Sequence, residues 1–353
     1  MKTELNINRS DHSCRYSSLI FIIMVLLLTV LFILDLFLGS VAISPFDIIK
    51  AIFGTAGTDI ETIVMGFRLP KAITALMVGI ALSISGLQMQ TLFRNPLAGP
   101  YVLGISSGAS LGVAIVILGF SSSLALFNLQ VLGNWILVIS AWAGAGIVML
   151  LIMYISSRVR NIMTILILGM MLASGLSAVV SIMQYFSSET MLKAYVIWTM
   201  GSLGNLSSGQ LNVLIISVLA GIILSILSIK MLNALLLGEN YAGSIGLNIR
   251  FARIVIFACT SIMAGSVTAF CGPIGFIGIA VPHIARNIFR TSDHKILIPG
   301  SILAGGIVMI ISDIVSQLPG SESVLPINSV TSLIGIPVVI WVILGKRNNS
   351  QSF

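Results

Sequence analysis

The chain has 353 residues, of which 57% are hydrophobic and 8% charged. Soluble domains carry about 25% charged residues, so an ordinary cytosolic enzyme is excluded, and a mean hydropathy of +1.10 places most of the chain in lipid. The formal charge of +7 fits the basic excess that membrane proteins keep on cytosolic loops, so no nucleic-acid partner is expected.

A membrane span takes about 20 apolar residues, so this length allows roughly ten spans and no second soluble domain. The fold expected is an all-α polytopic membrane protein, a single transmembrane domain over 1–353. The first apolar run, Leu19–Leu38, follows a cytosolic tail at 1–16. It is longer than the 7–15-residue core of a signal peptide and reads as a retained span. After an external segment to about Gly66, further spans are expected at 68–92, 100–119, 134–155, 164–186, 210–229, 252–270, 273–286, 296–316 and 327–344. The eighth, 273–286, is short for a full crossing.

With both termini cytosolic, 14 of the 18 Lys and Arg fall inside, and only Lys50, Arg68, Lys71 and Lys193 fall outside. That bias is the positive-inside pattern, and nine spans would split it. Asp35 lies 20 residues beyond Arg15, and Asp313 lies 18 beyond Lys295. At 1.5 Å per residue both sit about 27–30 Å from the inner surface, near the outer interface. Ion-coupled carriers keep ionisable groups in mid-membrane, so a stand-alone secondary transporter is the weaker reading.

Chemistry is sparse. Cys14, Cys259 and Cys271 form no CxxC pair, and His12, His283 and His294 form no spaced ligand set. No catalytic residue and no metal site is expected, and a membrane-embedded enzyme would need clustered polar groups within its spans. Gly104, Gly108 and Gly112 recur every fourth residue on the third span. Close helix packing explains that spacing, and a smooth wall of a translocation path is the other reading. The methionines of the fifth span (Met163, Met170, Met171, Met183) face lipid or core, or line an adaptable apolar passage.

Three polar segments are not ordinary loops. Arg68-Leu69-Pro70-Lys71 puts two cations on the outer side, either against lipid headgroups or as a docking point for an acidic external partner. The inner loop 230–253 carries Gly238-Glu239-Asn240 and fits two short surface helices, either an interfacial amphipathic segment or a dock for a cytosolic subunit. Gly272-Pro273-Ile274-Gly275-Phe276-Ile277-Gly278, followed by Val281-Pro282-His283-Ile284-Ala285-Arg286, breaks the helix repeatedly. A lone His283 there reads as a structural residue rather than a ligand.

These segments resemble the FecCD-type permeases of ABC importers, which carry iron chelates, haem and cobalamin. The resemblance covers RLPK from Arg68, SGLQMQTLFRNPLAGPYVLGISSGAS from Ser85 to Ser110, LGENYAGSIGL from Leu237 to Leu247, GPIGFIGIAVPHIAR from Gly272 to Arg286, residues Asp293 to Gly300, and the closing LPINSVTSLIGIPVVIWVIL. Asn95, Pro96, Gly104, Gly108, Gly272, Pro273, Gly275, Gly278, Pro282 and His283 are its motif positions here.

The resemblance implies a homodimer of ten-span subunits in the cytoplasmic (inner) membrane of a bacterium, with a passage at the dimer interface. It implies an extracytoplasmic substrate-binding protein and two cytosolic ATP-binding subunits. The binding protein would dock on Arg68 and Lys71. Where some relatives carry a further outer arginine, this chain has Gln317, which leaves that contact to a polar bond or removes it. The ATPase-coupling element would be Gly238–Gly246, including Glu239 and Ala242. The gate would lie at the fifth and tenth spans and a short helix near Thr190–Met200. The chain itself has no GxxxxGK[ST] phosphate loop. It would bind no cofactor, and ATP would be used by its partners. The cargo expected is a metal chelate, with a ferric siderophore first and cobalamin or haem as alternatives.

Overall fold

A computed structural model describes residues 2–39, 43–55, 57–119, 133–159, 161–317 and 324–345. Every regular element among these residues is helical. The solvent dictates this, because backbone N–H and C=O groups in hydrocarbon must be satisfied within the chain and a helix does so locally.

α1 covers Lys2–Phe37. No glycine or proline precedes Gly39, so the backbone of the expected 1–16 tail and the first span form one uninterrupted helix. α2 (Pro45–Ile52) starts on Ser44, whose Oγ accepts the Asp47 N–H at 3.2 Å. α3 (Thr58–Ile63) runs through a π turn at Val64–Arg68 into α4 (Leu69–Leu92). α5 (Ile105–Ala114) ends in a second π turn, Ile115–Gly119. Then come α6 (Gly133–Arg158), α7 (Ile162–Tyr185), α8 (Glu189–Thr199) and α9 (Ser208–Leu227). Two short helices, α10 (Ile229–Leu236) and α11 (Glu239–Ser244), precede α12 (Ile249–Cys271). α13 (Ile277–Phe289), α14 (His294–Ser316) and α15 (Ile327–Gly345) close the chain.

Seven helical segments among the described residues are long and apolar enough to cross a membrane. The third and eighth expected spans are the short ones, while the tenth corresponds to α15, a helix of 19 residues. The third starts at Ile105 rather than 100, because the chain turns through Gly104 at φ +82. The eighth starts at Ile277 rather than 273, since Gly272 (φ +76) and Phe276 (φ +65) lie outside the helical region. Its 13 residues rise about 20 Å against a hydrocarbon core of about 30 Å, so this helix alone is too short to cross it.

α4 is the central helix, packed by α9, α12, α13 and α14. Bare backbone makes that crowding feasible. Gly79 meets the Gly305 backbone of α14, and Gly86 meets the Gly278 backbone of α13. The regular glycines of α5 serve the same purpose, with Gly108 and Gly112 against the carbonyls of Gly144 and Ser140 on α6. α4 thereby divides the molecule into an end near Lys71 and an end near Arg94.

Candidate functional site

At the Lys71 end, the first turn of α4 presents Arg68 and Lys71 on one helix face. Arg68 Nη1 donates to the Leu36 and Phe37 carbonyls at 2.8 and 3.2 Å, closing the C-terminus of α1, where a cation is favoured. Lys71 Nζ lies 2.9 Å from Asp313 Oδ1. Gln317 Nε2 donates to Asp35 Oδ1 at 2.9 Å and to Asp313 Oδ2 at 3.2 Å. Asp35 and Asp313 are 3% and 1% exposed, so the two acids expected near the outer interface form one buried cluster joining α1, α4 and α14. The Arg68, Lys71, Asp313 and Gln317 side chains line a cavity of about 510 Å³, floored by Gly201–Asn205 and Leu325.

The same end contains the helix-breaking segment. A Cβ on Gly272 would stand 2.6 Å from the Trp198 carbonyl oxygen, so only glycine permits that approach. Ser202 N–H donates to the Cys271 carbonyl at 2.9 Å, and Gly275 N–H donates to Asn328 Oδ1 at 3.0 Å. Residues 272–275 therefore tie the end of α8 to the start of α15. Pro273 lies inside that tie.

At the opposite end, α13 is pinned to α4. Arg286 donates to Gln90 Oε1, and Gln90 Nε2 donates to the Ile279 carbonyl at 3.1 Å. His283 Nε2 lies 2.7 Å from the Pro96 carbonyl oxygen. A carbonyl only accepts, so Nε2 carries the proton, and His283 holds the Asn95–Pro96 turn. Asn95 Oδ1 accepts the Leu97 N–H at 3.0 Å within that turn. Pro282 sits inside α13 one residue before His283.

The inner-loop motif forms a turn-and-helix unit here. Gly238, at φ +103, starts α11, and Gly246, at φ +90, follows its end. Ala242 is completely buried, so it fixes α11 to the bundle. The surface of the unit is Leu237, Tyr241 and Ile245, which are 63%, 50% and 59% exposed. Glu239 accepts both ends of a fork from Arg253, at 2.8 Å (Nε) and 2.7 Å (Nη2).

α10 is anchored in turn. Asn233 Oδ1 accepts the His294 N–H at 2.9 Å, and Asn233 Nδ2 donates to Asp293 Oδ1 at 2.7 Å. Burial acts to raise the Asp293 pKa. The Lys295 N–H, the Asn233 amide and the charges of Lys295 and His294 outweigh it and hold the carboxyl below its usual range.

Sequence reading singled out neither Arg253 nor Asn233. Arg253 follows Glu239 by 14 residues across a glycine turn, and that acid–base pair at the two ends of the loop was the available signal.

α7 differs from the other outward-facing helices. α1 and α9 expose bulky apolar side chains, such as Leu26, Val30, Ile216 and Ile223. α7 instead shows a mixed face, exposing Thr164, Ser174, Gly175, Ser177, Ala178 and Ser181 interleaved with Met163, Met170, Met171 and Tyr185 and with the aliphatic Ile167, Val179 and Ile182.

A sequence profile of the FecCD transport family matches residues 27–345. The chain is 34% identical over 285 residues to the hemin transport system permease protein HmuU of Yersinia pestis, covering 80% of this chain and 83% of that one. It is 37% identical over 290 residues to the vitamin B12 import system permease protein BtuC of Escherichia coli O9:H4, covering 81% and 85%. A solved structure assigned to the metal-chelate type of ABC transporter, in an inward-facing conformation, superposes with a TM-score of 0.80 at 27% identity, covering 93% of this chain and 99% of that one.

Proposed function

We propose, from the premise that this chain belongs to the FecCD transport family, that it is the membrane subunit of an ATP-driven importer carrying a metal chelate across the cytoplasmic membrane of a bacterium. The observation that carries the reading is the α7 face. Small and polar side chains turned outward along a membrane helix are poorly matched to lipid, whereas they suit a helix interface or an aqueous path. Two copies facing each other through α7, α8 and α15 enclose a passage with few specific contacts, so selectivity falls to an external binding protein.

In this reading the Lys71 end is extracytoplasmic. Its cavity receives an acidic surface of the binding protein, with Arg68, Lys71 and Gln317 at its rim. The α11 end is cytosolic, and Leu237, Tyr241 and Ile245 seat an ATP-binding subunit, one per copy. Gly238 and Gly246 set the turns that present them, and Glu239 and Ala242 hold α11 in place. The permease supplies no phosphate-binding loop, binds no cofactor and performs no chemistry, so its mechanical input comes from those partners.

A ferric siderophore is the leading cargo. Haem and cobalamin are the second reading, favoured by the relatives whose names record those substrates. Gln317 in place of a basic residue weighs against cobalamin.

The test is gentle extraction from the native membrane, intact-complex mass spectrometry, and uptake of ferric hydroxamate, haemin and cyanocobalamin by vesicles holding the complex. Two permeases with two ATPase chains and ATP-dependent uptake of one chelate are the expected result. A lone chain transporting down an ion gradient would overturn it.

A further inference from the structure

The docking turn and the passage helix are far apart in the chain, and one side chain connects them. Arg253 is the fifth residue of α12, at the start of its second turn, and is 3% exposed. Its Nε and Nη2 hold both carboxylate oxygens of Glu239, the first residue of α11, at 2.8 and 2.7 Å. Its Nη1 donates to the Val159 carbonyl at 3.0 Å. Val159 follows the end of α6 and lies just before Asn161, whose Oδ1 caps α7 by accepting the Met163 N–H at 2.9 Å. A single planar guanidinium on α12 therefore bonds the docking turn and the end of α6, where the Val159 N–H still bonds to the Ile155 carbonyl at 2.9 Å and the chain is two residues from the cap of α7.

The remaining contacts make this tie consequential. α11 packs on α10 and α12, whereas α7 packs mainly on α5, with a smaller contact to α6. A cavity of about 230 Å³ lies beside the guanidinium, bordered by Ser156, Asn240 and Arg250. Bidentate charge-assisted bonds are strong and directional, and the fork keeps its geometry where a lysine would swivel. A displacement of α11 is thus passed to Val159 rather than absorbed.

We propose that Arg253 is a positioning residue that transmits movement of the docking turn α11 to the start of α7, so that events in the ATP-binding subunit reset the passage helix. The inference rests on the functional reading above, in which α11 meets the ATPase and α7 lines the passage.

The experiment uses the complete complex in nanodiscs with Met163→Cys as a spin-label site on each copy, in a background with Cys14, Cys259 and Cys271 replaced by serine. The distance between the two α7 starts is measured by pulsed electron resonance without nucleotide and after trapping with Mg-ATP and vanadate, alongside ATP hydrolysis. The unaltered complex should show a nucleotide-dependent shift in that distance. Arg253→Lys should lose the shift while hydrolysis stays within roughly twofold of the parent. A merely structural role would lower assembly and hydrolysis together. If the lysine variant fails to assemble, Arg253→Gln, which donates to one partner at a time, is measured in its place with the same expectation. An undiminished shift in an assembled variant would overturn the inference. Absence of any nucleotide-dependent shift in the unaltered complex would instead overturn the functional reading beneath it.

Discussion

Replacing Lys71 with methionine isolates the energetics of the buried cluster that joins α1, α4 and α14. Asp313 is 1% exposed and is paired with Lys71 at 2.9 Å, while Gln317 is shared with Asp35. Without the ammonium, the buried Asp313 carboxylate is left with the Ser316 hydroxyl at 3.2 Å and the Gln317 amide it shares with Asp35. Breaking a buried ion pair by removing one partner costs about 3–5 kcal/mol. The Lys71 side chain is 21% exposed, so water at the rim recovers part of this, and the lower end, about 3 kcal/mol, is expected for Lys71→Met.

Removing both partners is different, because neither charge of the Lys71–Asp313 pair is left without its counterpart. Lys71→Met/Asp313→Leu should return to within about 1 kcal/mol of the parent, a coupling of at least about 2 kcal/mol in a double-mutant cycle, larger by whatever Asp313→Leu costs alone. Reversible unfolding in mild detergent, followed by tryptophan fluorescence, measures all four proteins. A Lys71→Met loss below about 0.5 kcal/mol, the range of ordinary surface changes, would refute the reasoning and leave Lys71 as a solvated cation. The same arithmetic bears on docking. A partner carboxylate that recruits Lys71 must replace Asp313, so charge reversal at Lys71 would injure the fold along with the contact. The double variant is the cleaner probe of docking, and it should bind an acidic partner more weakly and with a shallower salt dependence.

Gly86→Ala should destabilise the bundle by about 3 kcal/mol or more, since a Cβ there collides with the Gly278 backbone and overpacking already costs about 1–3 kcal/mol where side chains can yield; thermal unfolding against Gly146→Ala, which meets open space, is the check. Leu237→Lys with Tyr241→Lys should abolish co-purification of the ATP-binding subunit while the permease stays folded, because both side chains are exposed; retained stoichiometry in mass spectrometry would place the docking surface elsewhere. Asp293 should give an acid-side dependence. Its folded pKa is lowered, so its contribution is complete above the unfolded value of about 4 and disappears as pH falls through the folded value. Asp293→Asn should remove that part of the stability profile, which is small because the carboxylate is partly solvated, and an unchanged profile would exclude it.

Composition and hydropathy determined the helical class and the course of most spans. Where an apolar run is bounded by polar caps, as in α9 between Ser207 and Ser228, local chemistry alone sets the ends. The short eighth helix was visible too, because Pro273 and its flanking glycines act within a few residues of themselves. The helix running unbroken from Lys2 was not read, since polarity marks the edge of a membrane and not the end of a helix.

Side-chain pairing was decided by tertiary structure. Gln317 and Asp35 are 282 positions apart, and Arg253 and the Val159 carbonyl are 94 apart. No local preference encodes such a meeting. Arg68 and Lys71 were legible as a pair of cations at one end of a span, but their occupation by α1 carbonyls and Asp313 was not. Ala242 was legible as part of a patterned polar loop, but its burial and the exposure of Tyr241 depend on which face of α11 meets the bundle. Periodicity over six residues cannot choose that face. The exposed serines of α7 likewise acquire meaning only when every neighbouring helix has taken its place and left that face uncovered.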